Sequence, residues 1–272
     1  LVQSYGVEIV CEEAKLIEQD KIEASENIYQ CKNIILATGS KPANIKGLET
    51  DGQFILNSND ILNLKEIPEN ILIVGSGAIG VEWARIFNAL DKNVTVVELA
   101  ERLLPLADIE VSKRLDRLFK KNKIKFFTGT KVESIKDKTV LLSNGQELVF
   151  DMVLCAIGRE PVLPKIEGVS IDLNGKFVKV DDNFRTNISN IFAVGDLVGK
   201  MLLAHSAVHQ AVSVIDYITE QKQCHFDTNS VPSVIYGNPE IAWVGKTEEM
   251  LADIEYRVSN FPVAALGKAM AD

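Results

Sequence analysis

The sequence is short of several things, and each shortage removes a class of function. No apolar run approaches the roughly 20 residues that a membrane-spanning helix needs, and no signal peptide is visible from Leu1 onward. Cysteine is scarce. Cys11, Cys31, Cys155 and Cys224 lie far apart, without the close pairs of a metal or redox site, and read as buried or free thiols in a reducing compartment. Of 3 histidines, His205 and His209 stand four apart on one helical face. No carboxylate accompanies them in the H-E-x-x-H manner, so no metal is expected. Lys and Arg number 29 against 38 Asp and Glu, a net charge of -9, which argues against nucleic acid and against anionic membrane surfaces. Repeats and low-complexity tracts are absent too.

With 272 residues, 46% hydrophobic and 25% charged, the chain can bury a large core and suggests about two domains on a prior of roughly 150 residues each. Val7-Glu8-Ile9-Val10, Lys15-Leu16-Ile17 and Asn33-Ile34-Ile35-Leu36 predict a small antiparallel meander followed by a buried strand. That strand stops at the turn Ala37-Thr38-Gly39-Ser40, before Lys41-Pro42. Residues 43–67 predict loop and short helix, and Pro68 marks a hinge.

From Asn70 the pattern becomes βαβ: a strand over 71–74, a helix over 78–90 and a strand over 94–97. A second amphipathic helix begins at Asp108, with Ile109, Val111, Leu115, Leu118 and Phe119 as its core face. Strands follow over 124–127, and over 140–142 and 147–149 around the hairpin signal Asn144-Gly145. Residues 152–157 and 190–194 read as buried strands, 203–218 as a helix, and the tail from 231 begins as a strand. The run Arg117 to Lys125 is basic but reads as a solvated helix face.

Gly75-Ser76-Gly77-Ala78-Ile79-Gly80 fits G-x-G-x-x-G, entered by a strand, left by a helix and followed by a second strand. In that setting Gly75 permits the tight turn, Gly77 lets a pyrophosphate approach the backbone, and Gly80 packs helix on strand. The helix N-terminus offers unpaired N–H groups to the phosphates. Glu98 closes the second strand where an acid can bind the ribose 2′-hydroxyl and repel a 2′-phosphate, which favours NAD over NADP. Arg102 is a basic residue just beyond that reading position. Two further strand ends, Ala37–Ser40 and Phe192-Ala193-Val194-Gly195-Asp196, leave space for a second ligand, and Asp196 could accept from ligand hydroxyls.

Taken in order, Ala37–Ser40, the glycine loop, Ala156-Ile157-Gly158-Arg159-Glu160-Pro161, and Gly195-Asp196 followed by Leu203-Ala204-His205 resemble the flavoprotein pyridine nucleotide-disulfide oxidoreductases. The run Pro232-Ser233-Val234-Ile235-Tyr236-Gly237-Asn238-Pro239-Glu240-Ile241-Ala242-Trp243-Val244-Gly245 is similar to the dihydrolipoamide dehydrogenases within that family. The resemblance covers nearly the whole chain. It implies an α/β fold, with a Rossmann-like NAD-binding domain inserted in a partial FAD-binding domain and the start of an α+β dimerisation domain. The implied division is 1–66 and 161–230 for FAD, 67–160 for NAD, and 231–272 for dimerisation.

By the same resemblance, Thr38, Gly39 and Ser40 lie near FAD where the chain crosses between domains, and Ala14 touches the adenine side. Asp196 holds the ribityl–phosphate part, and Leu202, Leu203, Ala204 and His205 line the flavin ring. Glu82 stands as a catalytic residue at the flavin–nicotinamide junction, its usual lysine partner outside this chain. Val132 and Gly158 line the NAD groove with Gly75, Ser76, Gly77, Ala78, Ile79, Gly80 and Glu98. Gln210 and Ala211 replace the family's usual acidic residue and glycine.

Three family features do not occur in this sequence: a first G-x-G-x-x-G for FAD pyrophosphate, a C-x-x-x-x-C redox pair, and a C-terminal His-Pro followed by glutamate. The expectation is a dihydrolipoamide dehydrogenase shortened at both ends, binding NAD at best and not turning over lipoamide. The complete protein is expected as a cytoplasmic homodimer (mitochondrial matrix if eukaryotic), using FAD and NAD. It would act on dihydrolipoamide carried by the lipoyl domain of a 2-oxoacid dehydrogenase or glycine cleavage complex. Rival readings are a mercuric reductase, an NADH oxidase-like enzyme of the same family, or a non-catalytic NAD-binding module.

Overall fold

The apolar runs between residues 55 and 155 assemble into one parallel sheet. A computed structural model describes residues 2–220, 222–223 and 226–267, so Cys224 lies outside the described residues. The sheet runs Ile55–Leu56, Met152–Cys155, Asn70–Val74, Asn93–Val97, Lys125–Phe127 in spatial order, every neighbouring pair parallel. Both of its faces are covered, which is why these strands are apolar throughout instead of alternating. Ile71, Ile73, Val94 and Val96 pack with helices α1 (Ala78–Ala89) and α2 (Ile109–Lys121). Leu72, Val74, Val97 and Val153 pack with Val140, Leu142 and Phe150 of the opposite layer.

The helices form for reasons written in their sequences. Asp108 caps α2, its side chain accepting from the Glu110 N–H at 3.0 Å, while Lys120 and Lys121 complement the dipole in the last turn. Leu115 and Phe119 fill the core face, with Phe119 edge-on to Phe126. Opposite them, Val132–Lys136, Thr139–Leu142 and Glu147–Val149 form an antiparallel meander, turned at Gly145 with φ +83°.

A second core gathers Leu16, Ile34, Phe184, Phe192, Leu197 and Val214. Here Ile34–Leu36 pairs in parallel with Ile191–Ala193, and α3 (Ala204–Glu220) supplies Val214. Ser40–Pro42 and Arg159–Pro161 form an antiparallel ladder between the two cores. The tail adds Ser233–Ile235 paired with Ile241–Trp243. Ile235, Ile241 and Trp243 turn inward against the α1 side of the parallel sheet.

Two local expectations differ from the structure. Residues 7–10 form no strand, with Val7, Ile9 and Val10 all exposed. The meander is instead Ala14–Glu18, Lys21–Ala24 and Asn27–Gln30, because two-residue turns close those neighbours locally. Residues 43–67 contain more than loop and short helix, since Ile55–Leu56 adds the edge strand of the parallel sheet. Two residues show too little periodicity to be read as a strand.

Candidate dinucleotide-binding site

Each glycine of the loop answers to a different constraint. Gly75 turns at φ +101°, and a Cβ there would stand 2.4 Å from the Ala156 carbonyl oxygen. At Gly80 a Cβ would stand 1.9 Å from the Gly75 carbonyl oxygen. Gly77 is different. It is the N-cap of α1 at φ -69°, ψ -170°, with no side-chain cap bond, and a Cβ there would meet nothing within 4 Å. The first turn of α1, with Ala78 exposed and Ile79 half-buried, therefore faces open space with no side chain competing for its N–H groups. That cradle fits a dinucleotide pyrophosphate.

Glu98 sits beside it. Its Oε2 accepts from the Ser76 N–H at 2.7 Å and the Ser76 hydroxyl at 2.8 Å, and its Oε1 accepts from the Ala100 N–H at 2.8 Å. An ionised carboxylate has about four acceptor directions, so Oε1 keeps one for a ribose hydroxyl. Val132 follows Thr130, whose N–H bonds the Glu98 carbonyl at 2.9 Å. Gly158 is exposed at φ +112° just past Met152–Cys155. Both lie near the carboxyl edge of the parallel sheet, where such folds bind ligands.

Arg102 does not face a ribose phosphate. Its two terminal nitrogens bind both carboxylate oxygens of Glu249 at 2.5 and 2.6 Å, and Nη2 also donates to the Pro105 and Ala107 carbonyls at 2.9 and 3.3 Å. The basic residue that could have welcomed a 2′-phosphate is committed elsewhere.

A second polar junction forms across the crossing ladder. The Ser40 hydroxyl donates to Asp196 Oδ2 at 2.5 Å and accepts from Arg159 Nε at 2.7 Å. Arg159 Nη2 donates to the Ser40 carbonyl at 2.8 Å. Three motifs far apart in sequence thus meet in one place. Thr38 donates to the Val162 carbonyl at 2.5 Å, and Gly39, at φ +70°, accepts from the Val162 N–H at 2.9 Å. Buried Gln210 accepts from the Gly195 N–H at 2.8 Å and donates to Ser206 Oγ at 3.0 Å, so an amide secures the backbone beside Asp196. Leu202 and Leu203 lead into α3, which Ala204 and His205 begin; His205 Nε2 lies 2.8 Å from the Pro232 carbonyl. Ala14 is an exposed residue paired with Ala24, and no hydrogen bond ties it to this junction.

On α1, Glu82 Oε1 accepts from the Tyr236 N–H at 2.8 Å, so its partner within the chain is the tail. One turn on, Arg85 donates to the Asn238 carbonyl, while burial pushes its pKa down. Cys155 is buried, its thiol pushed up to about 11 by desolvation, which makes it a packing residue. Sequence reasoning did not single out Arg85 or Arg159 as site residues, and it met Gln210 only as a replacement of the family's usual acidic residue. Arg159 carried a local signal, standing directly after Gly158 at the end of a strand.

Comparison with known proteins supplies the context. Residues 1–211 match the family described as pyridine nucleotide-disulphide oxidoreductase, and residues 231–272 match its dimerisation domain. A dihydrolipoyl dehydrogenase of Vibrio parahaemolyticus is 38% identical over 92% of this chain and 55% of its own length. One from Bacillus subtilis is 35% identical over 88% of this chain and 53% of its own length. The chain thus spans about half the length of the curated relatives it matches. Among solved structures, an HOCl-induced flavoprotein disulfide reductase of Escherichia coli superposes with a TM-score of 0.85 at 25% identity, over 97% of this chain and 63% of that one.

Proposed function

Because the chain belongs to the pyridine nucleotide-disulphide oxidoreductase family, we propose that it carries the NAD site and part of the FAD site of a dihydrolipoyl dehydrogenase. The observation that carries this reading is the open cradle at Gly77, set at an uncapped helix N-terminus beside Glu98. Enzymes of this family use FAD and NAD.

In the proposed site, the α1 N-terminus and the Gly77 backbone hold the pyrophosphate of NAD. Glu98 takes a ribose hydroxyl on its remaining Oε1 direction and repels a 2′-phosphate. Val132 and Gly158 line the groove, and Glu82, held by the Tyr236 N–H, stands at its reactive end. On the FAD side, Asp196 uses Oδ2 for Ser40 and offers Oδ1 to a ribityl hydroxyl. Thr38, Gly39, Ser40 and Arg159 brace that crossing, Leu202, Leu203, Ala204 and His205 line the ring, and Ala14 serves the adenine side. When bound, FAD relays electrons from a reduced disulfide to NAD⁺.

The proposed division assigns 1–66 and 161–230 to FAD, 67–160 to NAD and 231–272 to dimerisation, with Ile55–Leu56 lent as an edge strand to the NAD-binding sheet. The complete protein is proposed as a homodimer in the cytoplasm, or the mitochondrial matrix of a eukaryote. Its proposed substrate is dihydrolipoamide on the lipoyl domain of a 2-oxoacid dehydrogenase or glycine cleavage complex. No helix among the described residues is long and apolar enough to cross a membrane. The test is a spectrophotometric assay of the full-length protein for dihydrolipoamide-dependent NADH formation. Turnover supports the proposal. Turnover with another acceptor or donor but none with dihydrolipoamide rejects the substrate, while the 272-residue chain alone is expected to be inactive.

A further inference from the structure

The tail and the glycine loop are joined by a continuous chain of polar contacts that the nucleotide site itself does not require. It begins at Glu249, whose carboxylate takes both terminal nitrogens of Arg102. Arg102 Nη2 reaches on to the Pro105 and Ala107 carbonyls, just past Leu104, whose own carbonyl accepts from the Ala107 N–H at 3.0 Å. Leu104 holds φ +53°, a left-handed conformation that a bulky side chain adopts only when its surroundings impose it. In that conformation its N–H stands 3.2 Å from both the carbonyl and the hydroxyl oxygens of Ser76. Ser76, fully buried, passes its own N–H and hydroxyl to Glu98.

A second strut runs in parallel. Asp108 Oδ2 accepts from the Glu248 N–H at 2.9 Å while the same side chain caps α2. Arg102 Nε is buried without a partner, so Glu249 and the two loop carbonyls are what anchor the guanidinium.

We propose that Glu249 is a positioning residue of the dinucleotide site: through Arg102 it holds the 102–107 loop in the shape that braces Ser76 and aims Glu98. Three consequences follow from the geometry. The tail, assigned to dimerisation, also tunes cofactor affinity in the domain it docks on. Loss of the Glu249 carboxylate leaves Leu104 free to relax out of its left-handed conformation, withdrawing its N–H from Ser76. It also frees Nη1 of Arg102, the basic group nearest in sequence to Glu98, to meet a 2′-phosphate. NADH binding therefore weakens while NADPH binding does not weaken in step.

The inference rests on the NAD reading above. The test titrates NADH and NADPH separately by fluorescence into the 272-residue chain as wild type, Glu249→Ala, Arg102→Ala and the double variant, with melting temperatures alongside. The expected result is an NADH affinity about fivefold lower in Glu249→Ala. Arg102→Ala is expected to lose about as much and the double variant no more than either single, since both act through one link. The NADH-to-NADPH preference narrows only where Arg102 remains, a change that general loosening of the fold would not produce. Unchanged NADH affinity in Glu249→Ala, or losses that add in the double variant, would overturn the relay and leave the NAD reading intact. A wild-type chain that binds no NADH overturns both.

Discussion

At the scale of single residues, the three glycines of the loop have separable roles. Gly77 has ordinary backbone angles and open space above it. Gly77→Ala is therefore expected to leave the melting temperature unchanged or slightly raised while lowering NADH affinity tenfold or more, because the methyl stands where the pyrophosphate approaches. Gly80→Ala drives a Cβ into the Gly75 carbonyl and should cost roughly 2–3 kcal/mol in chemical denaturation. Equal destabilisation by both substitutions would contradict the assignment of Gly77 to the ligand. These roles were legible in the sequence because spacing and flanking strands determine them locally. Glu98 was legible as well, but its grip on Ser76 was not, since nothing in a motif shows which acceptor directions a carboxylate has already used.

The elements show where legibility ends. The parallel sheet, α1, α2 and the Asn144-Gly145 hairpin follow from periodicity and turn chemistry within windows of a dozen residues. The Ser40–Arg159–Asp196 junction and the Glu249–Arg102 clasp do not, because their partners lie more than a hundred positions apart and only the folded crossing brings them together. Arg159→Ala removes two bonds to Ser40 and is expected to cost roughly 1–2 kcal/mol of unfolding free energy; a loss below about 0.5 kcal/mol would show the junction to be idle. The clasp is also sensitive to acid. Hydrogen bonding to Arg102 holds the Glu249 carboxyl below its ordinary value, and the Glu248 and Glu110 N–H groups do the same for Asp108. Carboxyls lowered in the folded state stabilise it above their unfolded pKa of about 4 and lose that contribution as pH falls through the folded value. The stability gap between wild type and Glu249→Gln, followed by thermal melting, should be present at pH 7 and close as pH drops below about 4. A gap that persists unchanged at pH 3 would mean that the clasp does not act through that charge.

For the molecule as a whole, the order of motifs along the chain carried more information than any motif alone. The family was readable because the glycine loop, Gly158–Pro161, Gly195-Asp196 and the run from Pro232 to Gly245 fall in one fixed succession. What the sequence did not disclose is how the tail docks, with Ile235 and Trp243 against the first core and Glu82, Arg102 and Asp108 as its polar fastenings. Beyond that footprint the tail leaves Tyr236, Val244, Met250 and Phe261 exposed. In the full-length protein these are expected to be covered by a second copy, so light scattering should give twice the protomer mass. The most direct test of the central claim is the affinity of the 272-residue chain for NADH against NADPH. The account expects saturable NADH binding at least tenfold tighter than NADPH binding, and weakened tenfold or more by Gly77→Ala. Binding of neither nucleotide, or equal binding of both, would contradict it.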